Sequence, residues 1–185
     1  MYKFQSGFIP GHSTVHQLIE IYYRICMSLD DHCFTTLILC DISKACDRVR
    51  HTGLILKLKA YGIDGKLFKW FASYISSRKQ YVFINNSKSP LVNTKAGVPQ
   101  GSVFDPLPFL LYVNDIADNL LRLTRLFADD TSLSYSSQNP YTIEDVMNSD
   151  MEYILVSIWS KQWLVNFNPQ KIKQWYFPIL IFSSM

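Results

Sequence analysis

The sequence predicts an α+β fold, an antiparallel sheet carrying helices on one face. Two observations point there. Several short, apolar, β-branched runs have strand length, whereas longer segments repeat their apolar residues at helical spacing. From the first strand on, their order along the chain is strand, helices, hairpin, helix, hairpin, helix, which fits an antiparallel sheet with helices on one face. With 185 residues, 48% of them apolar and 15% aromatic, the chain can bury one core, and its composition is the opposite of a disordered one.

Residues 14–29 read as a helix because Leu18, Ile21, Tyr22, Ile25 and Leu29 recur at helical spacing. Residues 34–40 are a strand-length run that ends on Asp41. Helices over 52–60 and 65–76 are split by the break at Gly62, Ile63, Asp64 and Gly65. Residues 79–84 and 91–95 form a hairpin around Asn85, Asn86 and Ser87. A strongly apolar helix over 106–121 opens with Asp105 as N-cap and Pro106 at its first position. Two short strands, 123–128 and 131–136, join through Asp129 and Asp130. A helix over 143–163 follows, and 172–177 closes the sheet.

Charge and cysteines narrow the function only a little. The net charge of +3 suits a nucleic-acid partner but is too small to indicate one by itself. Cys26, Cys33, Cys40 and Cys46 contain no C-x-x-C and have no His pair nearby, so they read as buried or strand thiols of a reduced protein. Lys3 and Gln5 interrupt any N-terminal apolar run, and the apolar tail at 176–182 is about a third of a membrane span and contains Pro178. An intracellular chain, in cytoplasm or nucleus, without signal peptide or transmembrane segment is expected.

The chemistry concentrates in three places. Asp41 ends one apolar strand, and Asp129 and Asp130 follow Leu126, Phe127 and Ala128 at the end of another. Unpaired carboxylates at buried strand ends repel one another and call for a positive partner. Hard divalent cations such as magnesium take carboxylate oxygens, and two side by side support in-line phosphoryl displacement. Taken alone, an Asp pair between strands is more often an ordinary hairpin turn, and Asp41 an Asx-turn residue. The second place is the loop from Ala96 through Gly97, Val98, Pro99, Gln100 and Gly101 to Ser102, which leads into the apolar helix. Its glycines let backbone approach a ligand, although most such loops are connectors. The third is Gly7, Phe8, Ile9, Pro10, Gly11, His12, Ser13 and Thr14, where Ser13 or Thr14 suffices as an N-cap.

In their order these segments resemble the reverse transcriptases of non-LTR retrotransposons, the Jockey-like group in particular. Gly7-Phe8-x-Pro10-Gly11-x-Ser13-Thr14 is similar to the segment before the palm, and Asp41-Ile42-Ser43-Lys44-Ala45-x-Asp47-Arg48-Val49 to the first catalytic motif. Gly97-Val98-Pro99-Gln100-Gly101-Ser102-Val103 with Pro106-Leu107-x-Phe109 resembles the nucleotide and template loop. Phe127-Ala128-Asp129-Asp130 resembles the polymerase Asp-Asp motif, and Asn168-x-x-Lys171 the last palm motif. The likeness spans residues 5–173. Telomerase and group II intron enzymes share the palm, with local motifs less like these.

The resemblance implies a right-hand polymerase palm at 33–173 with partial fingers, a remnant at 1–32, followed by an atypical apolar tail at 174–185. It implies RNA-directed DNA synthesis by two-metal nucleotidyl transfer. Asp41, Asp129 and Asp130 would hold two magnesium ions (manganese as the alternative), Asp129 being the stronger candidate of the pair. The backbone of Ile42, Ser43, Lys44, Ala45 and Cys46 would underlie the incoming triphosphate. Gln100 and Gly101 would touch nucleotide and template, and Lys171 the leaving pyrophosphate. The implied partners are an RNA template, a DNA primer and deoxynucleoside triphosphates, with no membrane and no oligomeric state indicated. Cys46 stands where the family usually has Phe, which implies weaker discrimination against ribonucleotides. Asp105 and Pro108 replace a Gly and a Leu, Ile9 and His12 replace arginines, and Arg50 replaces a Trp. Without thumb and most of the fingers in these residues, a weakly extending fragment is expected; the alternative is a non-catalytic nucleic-acid-binding remnant of the same fold.

Overall fold

A computed structural model describes residues 1–76, 78–99, 101, 104, 106–118, 120, 123–157 and 159–178. They form two compact units, Met1–Ser43 with Asn114–Met185, and Lys44–Val113.

The first unit is built on a four-stranded antiparallel sheet. Its strands are β1 (Phe34–Asp41), β6 (Leu123–Phe127), β7 (Asp130–Ser137) and β8 (Lys173–Phe177), in the order β6-β7-β1-β8. Helix α1 (Thr14–Asp30) covers one face, where Ser28 Oγ shares a hydrogen bond with Thr35 Oγ1. Helix α6 (Pro140–Met151) covers the other, where Ile143 and Met147 lie beside Thr36 and Ile38. Neighbouring strand residues point to opposite faces, so β1 is buried on both. That explains its unbroken apolar run. The α+β architecture is as expected, with one addition: α1 gives the sheet a helix on its second face.

Helix α1 begins as anticipated, with Ser13 as N-cap accepting from His16 N at 3.2 Å. Its buried side is different. Leu18 and Tyr22 are 64% and 69% exposed, while Gln17 and Ser28 are buried. The sheet beneath carries polar groups among its leucines: Thr35 bonds Ser136 at 2.9 Å, and buried Arg125 pairs with Glu20 of α1, whose carboxyl is held below its usual range by that bond. These polar partners turn Gln17, Glu20 and Ser28 inward beside the half-buried Ile21 and Ile25.

Helix α6 starts three residues before the expected position, because Asn139 Oδ1 caps it by accepting Tyr141 N at 3.0 Å and Pro140 takes the first position. The expected single helix then winds as a π-helical stretch, Glu152–Ser157, before α7 (Trp159–Trp163). Leu126, Leu133, Ile116, Ile154 and Trp159 fill the core of this unit.

The second unit holds α2 (Ala45–Arg48), α3 (His51–Ala60), α4 (Gly65–Ile75), the short strands β2 (Lys79–Gln80), β3 (Phe83–Ile84), β4 (Ser87–Lys88) and β5 (Val92–Asn93), and α5 (Pro106–Val113). Helix α3 packs on α4 and α5 with Leu54 and Leu58 fully buried. Buried Lys57 donates to Tyr112 O, which gives its ammonium a partner. The hairpin forms in two short ladders, β2 pairing with β5 and β3 with β4, and Ser87, expected in the turn, instead pairs with Ile84. Asn85 and Asn86 take φ of +46° and +61°, the left-handed pair a type I′ turn needs.

Helix α5 stops at Val113 instead of 121. The residues that follow serve the first unit: Asn114 Oδ1 accepts Tyr2 N at 2.5 Å, and Asp115 Oδ1 accepts Trp159 Nε1 at 2.8 Å. The expected N-cap, Asp105, lies outside the described residues. No disulfide joins the four cysteines, and burial pushes the Cys40 thiol up to about 11. Among the described residues no helix is long and apolar enough to cross a membrane.

Candidate active site

The carboxylates singled out in the sequence sit at one end of the four-stranded sheet. Asp41, last in β1, and Asp130, first in β7, are direct cross-strand partners. Phe127 and Asp130 close the β6–β7 hairpin, so its two-residue turn is Ala128 and Asp129. The strands were expected to join through Asp129 and Asp130; instead Asp130 belongs to the ladder. Such a turn needs a first residue of positive φ, and Ala128 supplies it at φ +55°. Asp129 O accepts Ile42 N at 3.2 Å.

The segment after α7 is fastened to the same end of β1. Ser43 N donates to Asn166 O at 2.8 Å and Asn168 N to Asp41 O at 2.8 Å. Asn168 Oδ1 accepts Gln170 N at 3.1 Å and so caps the 3-10 turn Pro169–Lys171. That turn delivers Lys171 Nζ to Asp41 Oδ1 at 3.0 Å.

These four side chains share one field. Burial raises the Asp130 carboxyl above its ordinary range, the charges of Asp129 and Asp41 add to that, and Lys171 opposes it. The Lys171 ammonium is raised, first by its hydrogen bond to Asp41 and then by the surrounding carboxylates. Among the described residues no three acidic, His or Cys side chains converge closely enough to hold a metal ion as they stand. The donor chemistry nonetheless fits one, since three carboxylates outnumber the single ammonium that now partners Asp41.

A family model for reverse transcriptase (RNA-dependent DNA polymerase) matches residues 1–180. The chain belongs to this family. Among relatives of this reverse transcriptase domain, the probable RNA-directed DNA polymerase from transposon BS of Drosophila melanogaster is 34% identical over 176 residues, covering 90% of this chain and 19% of the relative. The RNA-directed DNA polymerase from mobile element jockey of the same fly is 29% identical over 178 residues, covering 91% and 19%. The domain thus spans about a fifth of the length of the curated relatives it matches. Its fold is shared with telomerase of Candida tropicalis in complex with a TWJ fragment of telomeric RNA, at a TM-score of 0.69 and 14% identity over 94% of this chain and 30% of the other. Apo telomerase of the same yeast, truncated from its C-terminal domain, gives 0.68 and 14% over 98% and 37%.

The remaining site residues of the reverse transcriptase domain divide between the units. Ile42 is buried and Ser43 half-buried beside Asp41. Lys44, Ala45 and Cys46 open the second unit, where the glycine loop meets them: Val98 N donates to Cys46 O at 2.9 Å and Gly97 N to Val49 O at 2.8 Å. His51 Nε2 donates to Gly97 O at 2.9 Å. Gly97 has φ +92°, and a Cβ there would stand 3.3 Å from Asp47 O. The loop thus comes close to the backbone of α2. Gly101 is exposed, and Gln100 lies outside the described residues. One contributor escaped the sequence reading. Gln5, in sequence only an interruption of apolar character, is 3% exposed and accepts Ala128 N at 3.1 Å. A buried glutamine leaves no periodic trace; its single signal is a polar side chain two residues before Gly7.

Proposed function

We propose that this reverse transcriptase domain carries the nucleotidyl-transfer site of an RNA-directed DNA polymerase. One observation carries the reading: Asp41 and Asp130 are cross-strand partners with Asp129 in the adjoining turn, so three carboxylates occupy one sheet end. Asp41, Asp129 and Asp130 would hold two magnesium ions, with manganese as the alternative. When bound, the metal supplies activation of the attacking primer hydroxyl and stabilisation of the leaving oxygen. Asp41 is held in place for this by the Asn168 bond to its carbonyl. Lys171, 61% exposed and tethered by one ion pair, can leave Asp41 and meet the charge of the departing pyrophosphate. The backbone from Ile42 to Cys46, with Gln100 and Gly101, would receive triphosphate and template. Residues 1–32 and 33–173 correspond in this reading to a fingers remnant and the palm. RNA template, DNA primer and deoxynucleoside triphosphates are the substrates.

The second reading is a nucleic-acid-binding domain of the same fold without the chemistry. Primer extension on an RNA template with magnesium separates them. Weak extension that disappears in Asp129→Asn is the expected result. Template binding with neither extension nor bound magnesium or manganese carries the second reading instead.

A further inference from the structure

We infer that Gln5 and Gly7 are positioning residues, a clamp that fixes the turn presenting Asp129; the inference rests on the metal-site reading above. The N-terminal segment runs beside β6 as a short parallel addition. Gln5 bridges Leu126, Leu126 N donates to Phe4 O at 3.0 Å, and Ser6 N donates to Leu126 O at 2.9 Å. This brings Gln5 beneath the turn. Its Oε1 accepts two backbone donors, Gly7 N at 2.7 Å and Ala128 N at 3.1 Å.

Gly7 closes the clamp from the other side. It is buried, and a Cβ at this position would lie 2.2 Å from Ala128 N and 2.9 Å from Phe127 C, both backbone atoms that cannot step aside. Ala128 meanwhile holds φ +55°, a conformation that alanine adopts only when its surroundings over-determine it. The residue held next in line is Asp129, whose carbonyl receives Ile42 N. Neither Gln5 nor Gly7 reaches the carboxylates, so their influence passes through the turn.

A plain packing role competes with this. A buried glutamine that serves two backbone donors is an ordinary sight in a folded protein. Yet the Gln5 Nε2 is buried and finds no hydrogen-bond partner among the described residues. An apolar filler would avoid that penalty, so the useful part of the side chain is its acceptor oxygen.

The test is manganese binding to the full 185-residue chain, followed by the electron paramagnetic resonance of the ion, with circular dichroism reporting the fold. Gln5→Met keeps the length and removes the acceptor; it is expected to weaken manganese binding ~10–100-fold, the usual scale for an outer-shell partner. Gln5→Glu restores an acceptor for both N–H groups and is expected to bind as the parent does. A folded Gln5→Met that binds manganese as tightly as the parent, while Asp129→Asn does not bind, overturns the clamp. Parent-like binding by Asp129→Asn overturns the metal-site reading instead. Hydrogen exchange on the parent chain needs no variant to fold: the Ala128 amide should be protected like that of Leu126, and an unprotected Ala128 amide also overturns the clamp.

Discussion

Asp130 enters the ladder with its carboxyl partly buried and two other carboxylates in its field, and each of these disfavours its charge. A carboxyl raised above its ordinary 3.8 on folding contributes stability below that pH and loses it as pH rises through the folded value. At neutral pH its ionisation therefore opposes the fold. Asp130→Asn should raise the melting temperature at pH 7 in the presence of a chelator, and the gain should shrink as the pH is lowered towards 4. A variant that melts below the parent at pH 7 would contradict this. The same residue marks the limit of legibility at this scale. Strand-end placement was enough to single out Asp41, Asp129 and Asp130. Which of the pair occupies the turn was hidden, because Gln5 and Gly7, more than 100 residues away in sequence, hold Ala128 there.

Elements whose limits are local were legible nearly to the residue. α1, α3 and α4 begin and end where apolar spacing and the Gly62–Gly65 break put them. Where a distant partner decides, the sequence was silent: α5 gives way to Asn114 and Asp115, engaged by Tyr2 and Trp159 at separations of 112 and 44 residues. The buried side of α1 was legible only in part: Ile21, Ile25 and Leu29 are half-buried, whereas Gln17 and Ser28 turn inward to polar groups of the sheet. The hairpin of the second unit is a local device and offers a local test. A β-branched side chain at a left-handed position costs ~1–2 kcal/mol or more. Asn85→Val should therefore speed exchange of the Ser89 amide, bonded to Val82 O, by roughly 5–30-fold. Unchanged exchange would mean that the turn conformation is not what holds this ladder.

At the scale of the whole molecule, each unit holds fully buried leucines, Leu54 and Leu58 in one, Leu126 and Leu133 in the other. Composition foretold enough apolar matter for a core but not its division, because the second unit is an internal stretch whose ends bear no linker composition. Leu58→Ala removes a fully buried side chain and should cost ~2–5 kcal/mol, read from the slowest amides of α3. A loss under about 1 kcal/mol would show that α3 collapses around the gap. The pairing of Asp41 with Asp130 gives the β1–β7 register a second meaning. Strand side chains alternate faces, so a slip of one residue would send one carboxylate through to the side of α6 while the other stayed behind. The spacing of Phe34–Asp41 and Asp130–Ser137 works as a ruler, and in it the gain or loss of a single codon is as damaging as losing an aspartate. The exposed Asn85–Asn86 turn bears no such constraint, so length variation among relatives should gather there and spare the two strands.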